Sequence, residues 1–556
     1  MTNIADRHRP ETPAAGIHPH RGLALGALCL SLVLITLDNT VLNVALPTLV
    51  RDLRATTSQL QWIVDSYQLV FAGLLFSAGS LADRFGRKGM LTLGLVVFGI
   101  GTAASAVAGS ADLLIVTRAF MGIGGAMIMP STLSILGTLY PEPTERARAI
   151  AVWAAMAAVG IAIGPVIGGL LLAHFSWGSI FTVNIPVVVI ALVGGHYLLP
   201  TSRDPSPKRM DPWGSLLSIV SLGALVFAVI EGPNYGWTSV EVLGSAALGV
   251  LAVMAFIAVE SRLDHPMIDL ALFRDARFSV GALTLTLLYF GALGTYFLYT
   301  QHLQFVLGYS ALRAGIYSVP FALALVLCSL RTPRAVGRWG TGRVAGAGLL
   351  VVAVGAVLRA TADGHTGFPL LLLSLVLAGI GVGCAIAPST ASIMSSLPPE
   401  HAGVGSAIND AARQVGAAAG VAVLGSVWAS SYRSTVLASH PSGAVPHQTL
   451  SLSSSSIGAA LAAARGLPAA SRSGLVMVAK DAFVHASDVA NVVAAVVLVV
   501  GAALAVRYLR RPVVAIEVDV VAGAMTADEV AGTGAGITGG GVTGGDLAPV
   551  LEAAPG

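Results

Sequence analysis

An aspartate stands near the middle of the first long apolar stretch of this chain, Gly22 to Val50, in the run Leu37-Asp38-Asn39-Thr40-Val41-Leu42-Asn43-Val44-Ala45-Leu46-Pro47. An ionised carboxylate at the centre of a membrane-spanning helix costs roughly 2.5–3.5 kcal/mol on insertion scales, so such residues are rare and face a cavity or a partner. Two kinds of chemistry fit that setting: proton exchange at the carboxylate, or a bond that only ties one helix to its neighbour. Arg118, in Leu114-Ile115-Val116-Thr117-Arg118-Ala119-Phe120-Met121-Gly122-Ile123-Gly124-Gly125, is a second intramembrane charge and needs a counter-charge. At about 1.5 Å per residue, Arg118 lies roughly 10 Å below the outer end of its span, Asp65 at a similar depth and Asp38 roughly 17 Å down. Both acids are candidate partners.

The elements that must position these charges follow from composition. With 55% hydrophobic and 11% charged residues, and a mean hydropathy of +0.81, the chain is an all-α polytopic membrane protein. Runs of about 20 mostly apolar residues give six candidate spans between 22 and 199, two between 212 and 260, and six more between 277 and 507, fourteen in all. Lys and Arg concentrate in loops on one side, among them Arg84, Arg87, Lys88, Arg146, Arg148, Arg203, Lys208, Arg209, Arg262, Arg331, Arg334 and Arg338. The positive-inside rule then places both termini in the cytoplasm of a cell-membrane protein. The net charge of +3 reflects that topology, and nucleic acid is not an expected partner.

No segment outside the spans resembles a catalytic domain. Gly534 to Gly539 matches a dinucleotide fingerprint by letters, but it lies in a Gly- and Thr-rich run without a βαβ setting. Cys29, Cys328 and Cys384 are scattered singly and the twelve His show no paired ligand spacing, so neither a disulfide framework nor a metal cluster is indicated. The expected state needs no cofactor, with protons as the coupling ion.

Two further motifs bear on movement. Gly79-Ser80-Leu81-Ala82-Asp83-Arg84-Phe85-Gly86-Arg87-Lys88 closes the second span. There Gly79 and Gly86 would allow close helix approach, while Asp83, with Arg84 and Arg87 beside it, could pair with a base or cap a helix N-terminus. The alternative is an ordinary basic loop. Gly337-Arg338-Trp339-Gly340-Thr341-Gly342-Arg343 echoes it between the tenth and eleventh spans, with Gly337 where the first copy has Asp83. In the fifth span, Gly160, Gly164 and Gly168 share a face for close packing, Gly169 adjoins them, and Pro165 permits a bend.

Taken together these segments resemble the major facilitator superfamily, and within it the fourteen-span drug:proton antiporters of the EmrB and QacA type, over residues 22 to 510. The signature at 37–47 is specific to that subgroup, 79–88 resembles the superfamily's loop motif, the Arg118 segment its fourth-helix motif, and 160–169 the antiporter motif of exporters. Phe181-Thr182-Val183-Asn184-Ile185-Pro186 and the segment from Ala402 through Asn409, Arg413 and Gln414 are similar as well. Two departures stand out: Gly178-Ser179 replaces an Arg-Trp pair, and no acid lies between Ala311 and Leu330.

The resemblance implies two six-helix bundles, 22–200 and 277–510, joined by two inserted spans within 201–276. A cytoplasmic tail would cover 1–21, an extracellular loop about 432–481, and a Gly-rich disordered tail 511–556. It implies a monomeric secondary transporter rather than an enzyme, exporting a hydrophobic or amphipathic drug or antibiotic in exchange for protons, with self-resistance in a producing bacterium as one fitting role. Asp38, Arg118 and Asp65 would couple the proton. A proton-coupled metabolite importer of the same superfamily is the alternative, and such an importer should lack the Gly-Pro-Gly-Gly signature of the fifth span.

Overall fold

The computed structural model describes residues 20–201, 211–263, 266, 268–361, 368–397, 402–439 and 445–509. Fourteen helices among them are long and apolar enough to cross a membrane. They are α1 (Arg21–Asp52), α2 (Thr57–Phe85), α3 (Arg87–Ala106), α4 (Ala111–Leu139), α5 (Pro143–His174), α6 (Ser179–Leu198), α7 (Pro212–Tyr235) and α8 (Val240–Glu260). The rest are α9 (Ala276–Gln301), α10 (Ala311–Trp339), α11 (Thr341–Ala360), α12 (Phe368–Ser395), α13 (Ala402–Ala438) and α14 (Ala469–Tyr508). Their ends are written in short-range chemistry. Thr56 accepts from the Gln59 amide while Gln59 Oε1 accepts from the Thr56 amide at 3.0 Å, a reciprocal cap that starts α2. Ser110 caps α4 through the Leu113 amide, and Glu142 caps α5 just ahead of Pro143. The Glu145 and Thr144 amides hold the exposed Glu142 carboxyl below the usual carboxylate range. Between α2 and α3 the chain turns at Gly86 with φ +108°, and between α10 and α11 it turns at Gly340 with φ +85°. These are conformations that favour glycine.

Packing within the first half (α1–α6) depends on small residues, as expected where lipid supplies no hydrophobic drive between helices. A Cβ on Gly124 of α4 would stand 2.6 Å from the Phe98 amide nitrogen of α3, and one on Gly122 would stand 2.6 Å from the Tyr67 carbonyl of α2. Backbones therefore touch, and α4 is locked between α2 and α3. The second half (α9–α14) repeats the device, with Gly294 of α9 facing the Gly420 carbonyl of α13 at 2.6 Å by the same measure.

The inserted helix α7 lies against both halves. Ser215 meets Ser77 of α2, the Ser218 hydroxyl donates to the Gly73 carbonyl at 3.1 Å, and Trp62 donates to Glu231 at 3.0 Å. On the other flank, Val226 and Ile230 share an apolar cluster with Leu69 of α2 and with Ala418 and Ala422 of α13.

Two boundaries differ from expectation. The loop placed at 432–481 narrows, because α13 continues to Ala438 and α14 begins at Ala469. Short helices at His447–Ser453 and Ile457–Ala464 fold between them, burying Ile457 and Ala460 and accepting Tyr432 Oη at the Ser453 carbonyl, 3.3 Å. Runs of Ser and Ala read as polar linker yet bury well as helices of about two turns. The tails expected at 1–21 and 511–556 fall almost wholly outside the described residues.

Substituting Gly124→Ala should destabilise the protein by about 1–3 kcal/mol, the range for overpacking. Gly137→Ala, where nothing lies within 4 Å of the added carbon, should be neutral or stabilising by up to about 1 kcal/mol. Thermal melts in detergent check the contrast, and equal melting points would refute the packing account.

Candidate functional site

Asp38 and Arg118 are brought together. Both are almost wholly excluded from solvent, and Arg118 Nη1 donates to Asp38 Oδ2. The other carboxylate oxygen accepts from Asn184 Nδ2 at 3.0 Å. Arg118 also donates from Nε to the Ile63 carbonyl at 3.2 Å, and its guanidinium lies 4.5 Å from the centre of the Tyr67 ring. Four helices thus converge on one charge pair: α1 supplies the acid, α4 the base, α2 a carbonyl and a ring, α6 an amide. Such a pair is stable only when its remaining hydrogen-bonding capacity is met, and removing one partner of a buried pair costs about 3–5 kcal/mol.

Local sequence explains each placement. The glycines of α4 let Arg118 approach α2 closely enough to reach the Ile63 carbonyl. Asn184 sits where α6 breaks: Pro186 has no N–H for the Thr182 carbonyl, the chain kinks at Val183, and a second helical piece starts at Asn184. Asn184 belongs to a segment singled out by resemblance but was not expected at the ion pair. A polar amide ahead of a proline in an apolar run was the available signal.

Asp65 does not join the pair. It is fully buried, and neither of its oxygens has a hydrogen-bond partner among the described residues. Depth alone allowed it to compete for Arg118. The structure instead directs Arg118 to the Ile63 carbonyl on the same helix, half a turn away from Asp65.

At the α2–α3 junction Asp83 pairs with Arg87 at 3.0 Å. Arg87 continues to Thr138 Oγ1 at 3.0 Å and the Ser134 carbonyl at 3.4 Å, both on α4. Lys88 donates to the His196 and Leu199 carbonyls at the end of α6, at 2.7 and 2.9 Å, where the helix dipole favours a cation. Arg84 lies 5.6 Å from the Phe85 ring, as Arg338 lies 5.9 Å from the Trp339 ring in the echo. Asp83 therefore bonds within its own half rather than capping a neighbouring helix. Gly79 makes an ordinary contact with Pro130, 3.6 Å from its virtual Cβ. Gly86 serves a turn of positive φ.

The glycine face of α5 is laid on α1. Gly160 and Gly164 meet Thr36 and Thr40, and Gly168 meets Val41 at 3.0 Å from its virtual Cβ. Thr40 Oγ1 reaches the Gly160 carbonyl at 3.4 Å. Gly169 faces the second half, 2.6 Å by the same measure from the Ala311 carbonyl of α10, and Gly315 of α10 lies against the carbonyl of Pro165. The motif therefore touches both the acid-bearing helix and the opposite bundle.

The second half holds charges of its own. Arg359 is buried in the last turn of α11, where it donates to the Thr295 carbonyl at 2.9 Å and lies 5.0 Å from the Tyr299 ring. Asp410 and Arg413 of α13 pair at 3.4 Å, and Arg413 donates to Tyr289 Oη at 2.9 Å. An acid at i with Arg at i+3 is the sequence signal for Asp410. Cys328 and Cys384, distant in sequence, meet with Sγ atoms 3.0 Å apart. Among the described residues, no three His, Cys, Asp or Glu come together as a metal site.

The sequence model of the Major Facilitator Superfamily matches residues 28–421. The chain is 37% identical over 501 residues to the multidrug efflux pump LfrA of Mycolicibacterium smegmatis, covering 90% of this chain and 99% of that protein. It is 33% identical over 420 residues to the tetracenomycin C resistance and export protein of Streptomyces glaucescens, covering 75% and 78%. Its fold matches a bacterial homologue of the human lysosomal transporter Spinster with a TM-score of 0.62 at 18% identity, over 89% of this chain and 99% of that one. By matched length and by fold, this chain belongs to the major facilitator superfamily.

Proposed function

We propose that the protein is a proton-coupled antiporter that exports a hydrophobic or amphipathic drug or antibiotic across the cell membrane, with both termini cytoplasmic and the monomer as the working unit. The observation that carries the coupling is the buried Asp38–Arg118 pair held by Asn184. The cargo class is supported by relatives named as a multidrug efflux pump and as an antibiotic export protein.

The coupling step is an exchange of partners. While Arg118 stays on Asp38, the carboxylate is charged and satisfied. When a shift of α4 against α1 within the first half, accompanying the rocking of the halves, draws Arg118 away, Asp38 loses the guanidinium and takes a proton, and return of Arg118 expels it. Asp65 is buried on α2 without a hydrogen-bond partner among the described residues, so it is the group that can hold the proton while Asp38 holds Arg118.

Asp38→Asn should abolish drug efflux and lower resistance in an efflux-deficient bacterium to that of cells without the transporter. Membrane levels are checked by fluorescence-detected chromatography, because an unpaired Arg118 also threatens folding. Asp38→Glu should keep partial activity. Pumping by well-inserted Asp38→Asn protein would rule out the assignment.

Asp65→Asn removes no bond and should leave stability within about 1 kcal/mol, as for substitutions that break no partner. If Asp65 holds the proton, the variant should retain drug exchange in proteoliposomes yet lose uphill, gradient-driven accumulation. Wild-type accumulation would assign Asp65 a purely structural part.

A further inference from the structure

On the side away from the termini, several contacts among the described residues join the halves. Gly169 of α5 packs on Ala311 of α10. Gln61 of α2 donates to the Val421 and Ala422 carbonyls of α13, both at 3.0 Å. Thr300 of α9 donates to the Asn43 carbonyl of α1 at 2.9 Å, and Gln304 donates to the Val44 carbonyl at 2.9 Å.

The Thr300 bond differs from the others in its cause. A carbonyl inside a helix is normally occupied by the amide four residues on, but four residues after Asn43 stands Pro47, which lies within α1 and has no N–H. The Asn43 side chain does not cover its own carbonyl, because its Nδ2 donates to the Asn39 carbonyl at 2.9 Å. Asn43 is 5% exposed and Thr300 0%, so with the seam shut no bulk water reaches this acceptor, and a buried carbonyl left unpaired is costly. Gln304 belongs to the wide-turned segment His302–Val306, which continues α9 with a changed pitch. The proline thus creates an acceptor on the acid-bearing helix, and the opposite half supplies its donor.

We infer that Thr300 is a positioning residue for alternating access: by bonding the carbonyl that Pro47 leaves open, it holds the halves in the state closed on the side away from the termini. When that side opens, water takes the place of the hydroxyl. Pro47 lies nine residues beyond Asp38, roughly 14 Å along α1, so the helix that exchanges protons is the helix whose far end is latched. This inference rests on the transporter reading above.

The test measures conformation without drug or proton gradient, so its result is separate from that of the Asp38 variants. Spin labels at His174→Cys and Ser310→Cys, in full-length protein with Cys29, Cys328 and Cys384 replaced by Ala and held in lipid nanodiscs, report the distance between the ends of α5 and α10. Thr300→Val, which keeps shape but loses the donor, should raise the long-distance population about tenfold relative to the short one. Thr300→Ser should leave it unchanged. Adding Pro47→Ala to Thr300→Val gives the Asn43 carbonyl an amide within its own helix and should return the distribution toward wild type, which a packing role for Thr300 would not produce. An unchanged distribution in Thr300→Val would overturn the inference, as would a double variant as open as the single one.

Discussion

Placing an arginine and an aspartate in a membrane interior is tolerable only if each finds the other and both find further partners, and much of the first half follows from meeting that condition. Arg118 offers five donors in a fixed plane, and the structure answers them with a carboxylate from α1, a carbonyl from α2 and a ring face from Tyr67. The carboxylate needs a second donor and receives the Asn184 amide. For those groups to meet, α4 must run close against α2, which the glycines at 122 and 125 secure, and α6 must break so that Asn184 turns inward. The charge pair thus dictates where glycine and proline fall on helices that otherwise have no reason to carry them.

The two halves share an architecture but not an electrostatic design. Turns at Gly86 and Gly340 have corresponding positions and both have positive φ, evidence of a duplicated plan written in backbone geometry. The acid beside the first turn is absent from the second, and the second half keeps its charges elsewhere, on α11 and α13. The inserted helix α7 lies along α2 and α13, covering one of the seams where the halves meet. Among the described residues the seam between α5 and α10 has no such cover, so the helix with the glycine face is also the one whose contact with the other half is least encumbered.

Much of this was legible in the sequence, and the limits have physical causes. Fourteen spans are readable because hydropathy reports the cost of leaving water, which depends on composition alone. Asp38 and Arg118 stand out for the same reason. Their pairing was ambiguous because counting residues gives depth along a helix but not direction around it or between helices, and Asp65 was excluded by direction. Asn184 escaped notice because a neutral amide barely disturbs hydropathy, although its position ahead of Pro186 marked the break. Gly86 illustrates a different confusion: a glycine in sequence signals either absent bulk or permitted φ, and only the backbone distinguishes them. The folded segment between Ala438 and Ala469 was unreadable because helices of two turns are too short for periodicity to register.

A transporter must break the contacts between its halves in every cycle, which constrains their chemistry. A buried ion pair across the seam would have to be desolvated and resolvated at a cost of several kcal/mol per ion. Hydrogen bonds from neutral side chains to backbone carbonyls contribute only about 0.5–1.5 kcal/mol each, because water replaces them on opening. The contacts seen across the seam are of that second kind: Gln61, Thr300 and Gln304 donating to carbonyls, with glycines packed on backbone. Ion pairing is kept inside each half, at Asp38–Arg118, Asp83–Arg87 and Asp410–Arg413. Strong interactions therefore lie within the halves and weak ones at the boundary between them, and α1 is the helix on which the two meet.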